Sequence, residues 1–92
     1  MKIYKLVAEN LTNVGAPMGH NTYAPPYFED YFESIESAKK KAEKHYGDKT
    51  NEIYGERKSI KWGKTSTKNG VGVSSDDLGW VMYDIYPIKV KK

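Results

Sequence analysis

His20 and His45 are the only imidazoles in the chain. A pair of imidazoles, one acid and one base, can cleave RNA without a metal. A small metal-independent ribonuclease using these two residues is therefore one reading of the sequence. The simpler reading places His20 in a loop and His45 near the C-terminal end of a helix, where the helix dipole favours a cation. Gly63-Lys64-Thr65-Ser66 matches the end of a phosphate-binding loop. That motif needs a glycine where Lys58 stands, and it needs a helix where Asn69-Gly70 follows instead. Asp76, Asp77 and Asp84 are too few and too scattered for a calcium loop. With no cysteine, a thiolate zinc site, an iron–sulfur cluster, a disulfide framework and a cysteine nucleophile are all excluded. The expectation is a chain with no catalytic set, no metal site and no cofactor.

Two segments have the chemistry of binding. The run from His20 to Phe32 holds Tyr23, Tyr27, Phe28, Tyr31 and Phe32, with Asp30 among them. One face of a strand buries only about half of such a run. The remainder packs under a loop or stays exposed, and tyrosine beside proline and acid is typical of protein-binding surfaces. A protein contact through Tyr23, Tyr27, Phe28, Asp30 and Tyr31 is the leading expectation. The second segment, residues 57–68, places Arg57, Lys58, Lys61, Lys64 and Lys68 around Trp62. Lysines there would track phosphates while Trp62 stacks on a base, giving RNA or single-stranded nucleic-acid binding. The alternative is a solvated edge strand whose lysines block aggregation, with Trp62 in the core.

Charge is segregated along the chain. Residues 1–33 carry two basic and four acidic groups, whereas residues 48–68 carry six and three. Such asymmetry bears on partners and encounter rates rather than on fold. Fourteen of the 15 basic residues are lysine, which does not supply the planar fork used to read guanine edges. Sequence-specific DNA recognition is therefore disfavoured. No run approaches the roughly 18 apolar residues of a membrane span. Lys2 and Lys5 are not followed by the apolar run of a signal peptide. Cytoplasmic residence without membrane contact is expected, and oligomeric state is left open.

The length of 92 residues suits one domain, and 13% aromatic residues supply material for a small core. Residues 2–9 alternate as a strand, with Ile3 and Val7 on one side and Tyr4, Leu6 and Ala8 on the other. Apolar residues on both sides suggest a central strand, or one covered on both faces. Residues 10–26 are rich in Asn, Gly and Pro and form a long loop. Tyr27 to Phe32 is a short extended piece. Ser34 caps a helix from Ile35 to Tyr46, stopped by Gly47. Lys58 to Thr67 and Gly79 to Tyr86 are strands; Asn69-Gly70 marks a hairpin turn. Pro87 should bend the last strand or place it at an edge. The expected fold is α+β over residues 1–92, a β-loop-α-β-β chain. Its single helix would lie on a three- or four-stranded, mostly antiparallel sheet.

The run YFESIESAKKKAEKHYG, followed by IKW and then VMYDIYPIKV, resembles small α+β accessory proteins of tailed phages. The resemblance covers the helix and the second half of the chain, and no family motif carries a functional residue across. It implies an inhibitor or modulator of a host enzyme or defence system, acting by binding a host protein in the host cytoplasm.

Overall fold

Leu6 and Ala8 on one strand and Val81, Tyr83 and Ile85 on another recur at every second position, and all five are fully or almost fully buried. Period-two burial of this kind gives a sheet with one face packed against another layer. In the computed structural model, which describes residues 2–11, 25–76 and 78–88, the elements are β1 (Ile3–Asn10), β2 (Phe28–Phe32), α1 (Ile35–Tyr54), β3 (Trp62–Thr67), β4 (Gly70–Ser75) and β5 (Val81–Ile88). The strands form one antiparallel sheet in the order β2-β1-β5-β4-β3. The α+β expectation holds, with five strands rather than three or four. The extra strand is β2. Its residues looked like a lead-in to the helix, but they pair with β1 from Ala8↔Phe28 to Tyr4↔Phe32.

The helix lies on the face that carries Leu6, Ala8, Val73, Val81, Tyr83 and Ile85, and contributes Ala38, Ala42 and Tyr46 to the same core. Alanines spaced four apart let the helix axis sit close to the strands. Ser34 is the N-cap, accepting from the Ser37 amide at 3.1 Å. The C-terminus differs from the sequence expectation. Gly47 does not stop the helix, which runs two further turns to a left-handed Gly55 with φ 79°. Two contacts hold the extension. The Arg57 guanidinium lies over Gly47 in the space a side chain would fill, and bonds Asp48 at 2.6 Å. Fully buried Thr50 donates to the Gly47 carbonyl and accepts from the Lys58 amide at 2.9 Å. The returning chain is thereby pinned, and Ile60 enters the core. Residues 58–61, expected to be strand, are this connection.

Pro87 also departs from expectation: it is buried in β5, the central strand, opposite Tyr4 of β1. The β4–β5 ladder comprises Val73↔Ile85 and Ser74↔Asp84, so the missing N–H removes no rung on that side. Beyond this ladder β4 comes very close to β5 at Gly72. A Cβ there would run into the Ile85 carbonyl oxygen and stand 2.9 Å from the Tyr86 Cα. Backbone cannot move aside as a flexible side chain can. Gly72→Ala should therefore cost roughly 1–3 kcal/mol. That corresponds to about 5–20 °C in Tm for a domain of this size. Gly63→Ala, with nothing within 4 Å, should hold or raise Tm. Equal midpoints for the two variants in thermal denaturation would contradict this account.

Candidate functional site

Strand alternation divides the aromatic segment. In β2, Phe28, Asp30 and Phe32 lie opposite Ala8, Leu6 and Tyr4, on the helix side of the sheet. Glu29 and Tyr31 lie opposite Val7 and Lys5, on the other side. Tyr27 precedes the strand, and its ring turns to the helix side. It meets Trp80 edge-on at 5.6 Å between centroids and His45 at 5.8 Å, and its hydroxyl donates to the Trp80 carbonyl. Phe28 packs against His45 at 5.0 Å, with the Lys41 ammonium 5.6 Å from its ring centre. Tyr27 remains 38% exposed and Tyr31 56%, whereas Phe28 and Phe32 are half-buried against the core. Asp30 is exposed and accepts from the Tyr31 amide. Of the residues expected to bind a protein, the structure brings Tyr27 and Phe28 together and sets Tyr31 on the opposite face. Tyr23 and His20 lie outside the described residues.

The cations of the basic segment have different surroundings. Arg57 is held by Asp48, and the Lys58 ammonium lies 4.7 Å from the Tyr54 ring centre. Two cations, Lys44 and Arg57, hold the Asp48 carboxyl below the usual carboxylate range. Trp62 is half-buried on the core, 6.4 Å from the Tyr83 ring, and its indole donates to Glu43. Lys61, Lys64 and Lys68 are exposed along the β3 margin.

Two groupings were not legible in the sequence. His45 sits among Tyr27, Phe28, Trp80 and Tyr83, its Nδ1 2.6 Å from the Tyr83 hydroxyl. Burial pushes the Tyr83 phenol well above its ordinary value, so the hydroxyl keeps its proton. Burial, then Lys49 and Lys41, push the imidazole below its ordinary value, with Asp48 opposing. A neutral ring can accept the Tyr83 proton at Nδ1; an imidazolium cannot. On the other face, Glu9 and Asp84 are diagonal neighbours across β1 and β5. Burial raises the Glu9 carboxyl, and the adjacent Asp84 charge and hydrogen bond raise it further. Ser74 donates to Asp84 Oδ1 at 2.7 Å. The sequence marks Asp84 as an acid between Met82 and Tyr86, but its partner depends on pairing with β1. Among the described residues no three of His, Asp and Glu converge to hold a metal, and no helix is long and apolar enough to cross a membrane.

That sheet face is covered by no described element. It carries Ile3, Lys5, Val7 and Glu9 from β1, Glu29 and Tyr31 from β2, and Met82, Asp84, Tyr86 and Ile88 from β5. The apolar residues on both β1 faces suggest a central strand or one covered on both faces; β1 is an interior strand, between β2 and β5, and among the described elements a helix covers one of its faces. No family model, no curated protein and no solved structure matches this chain.

The two titrating groups act in opposite directions. The folded state takes up the Glu9 proton more readily than the unfolded chain, so this contribution is complete below the ordinary value of 4.5. It is lost as pH rises through the folded value. The folded state resists protonating His45, so that contribution is complete above 6.5 and lost as pH falls through the lower folded value. Glu9→Gln should flatten the pH dependence of stability just above 4.5. His45→Gln should flatten it just below 6.5. Urea denaturation across pH 4–8 tests both, and unchanged profiles would refute these assignments.

Proposed function

We propose that the chain is a small non-enzymatic binding protein that occupies a surface of another protein. The observation that carries this reading is the state of the β2 margin. It is an outermost strand of the sheet, with Tyr27 just before it and Tyr31 within it, and these keep 38% and 56% of their surface exposed. Tyrosine combines large contact area with few rotatable bonds, which makes it a strong interface residue. Glu29, Asp30 and Glu33 surround these rings with negative charge, which suits a partner with a basic surface. The resemblance to tailed-phage accessory proteins suggests a host protein as the partner, met in the host cytoplasm, and inhibition or modulation as the outcome. No cofactor takes part in this reading.

The immobilised chain should retain a protein from nuclease-treated bacterial lysate. Tyr31→Ala should weaken retention at least tenfold, the loss expected for an interface hot spot. Tyr27→Ala should do likewise, but it also removes packing from Trp80 and His45. Tyr31→Ala is therefore the cleaner variant, and its far-UV circular dichroism should match the parent. Undiminished retention by the double variant would end this reading.

A further inference from the structure

We propose that the open face of the sheet is the interface of a homodimer, with the bulky half of one copy seated over the recessed half of the other. The face has a step. Its β2-β1-β5 half carries Ile3, Val7, Met82, Tyr86 and Ile88. Its β4-β3 half carries nothing larger than threonine: Gly63, Thr65, Thr67, Gly70, Gly72 and Ser74. The step falls between β5 and β4, near the middle of the strand order. A two-fold axis parallel to the strands, set between two such faces, exchanges left for right. Each raised half then meets the other copy's recessed half. The face is complementary in shape to itself, as a two-fold contact requires.

Several polar groups of the face have partners within one copy. Thr65 and Ser74 share a hydrogen bond at 3.1 Å, Ser74 donates to Asp84, and Thr67 donates to the Gly70 carbonyl. Lys5 is ion-paired with Glu29 at 3.6 Å, and the Glu9 and Asp84 carboxyls are diagonal neighbours. Burial of such groups orphans few donors or acceptors. The recessed half carries no charge, so the exchange also keeps the acids of one copy away from those of the other. In this arrangement four of the five strands overlap, roughly 19 by 20 Å, or about 400 Å² in projection, and β2 overhangs. Two copies bury about 800 Å² before side-chain relief is added, the size of a weak association.

Sedimentation equilibrium of the full chain, from micromolar to near-millimolar concentration, tests the proposal. The parent should reach twice the 10.5 kDa of one chain. Met82→Glu, on the raised half, should weaken self-association tenfold or more. Thr65→Lys, on the recessed half at an exposed position of a marginal strand, should do the same with its circular dichroism unchanged. A parent that stays monomeric near millimolar overturns the proposal. So does a dimer that survives both substitutions. A dimer lost with Met82→Glu and kept with Thr65→Lys overturns the raised-over-recessed arrangement. Tyr31→Ala, at the rim, should keep the dimer mass. Partner capture and self-association are thereby read separately.

Discussion

One helix must cover one face of a five-stranded sheet, and most of the structure follows from that mismatch. An α-helix with its side chains is about 10–12 Å wide, whereas five strands span roughly 24 Å. Ala38 and Ala42 bring α1 down onto the β2-β1-β5 part of the sheet, over Leu6, Ala8 and Tyr83. Both flanks of the helix would then be open to water. Aromatic rings fill them. On the β3 side Trp62 leans in and ties its indole to Glu43. On the β2 side Tyr27, Phe28 and Trp80 gather around His45. The abundance of rings in this sequence is in large part the material that lets a narrow element seal a wide one.

That view refines the argument for binding. Phe28 and Phe32 are partly spent on the seal, and Tyr27 is shared between the seal and solvent. Tyr31 is different. It is on the far side of the sheet, more than half exposed, with the Lys5 ammonium 6.0 Å from its ring centre. The surplus of rings is therefore smaller than the count suggests, and it sits on both sides of one marginal strand.

The sequence revealed whatever depended on local periodicity. The alternation in residues 2–9, the Ser34 cap and the apolar alternation leading into Pro87 each report on neighbours in the chain. Features that depend on pairing were hidden. Gly47 reads as a stop because glycine is a poor helix former, and only the position of Arg57 shows why it belongs inside a helix. Tyr27 to Phe32 reads as a lead-in because nothing local announces β1 as its partner. His45 with Tyr83, and Glu9 with Asp84, are separated by 38 and 75 positions and meet only through register. The segment 57–68 looked uniformly basic. Its first cation turned out to be bound to Asp48, and its tryptophan to be part of the core.

The margins of the sheet differ in sign. β2 presents Glu29 and Asp30 at one border, and β3 carries Lys64 between Lys61 and Lys68 at the other. Like borders repel, so two molecules resist zipping together through the same strand. Unlike borders attract, and strand-to-strand contact of that kind is head-to-tail rather than two-fold. The brevity of β2, at five residues, limits how strong any such link becomes. Dissolved salt shortens the reach of the attraction to about 8 Å at physiological ionic strength. Ionic strength thus sets how far the two unlike margins attract each other.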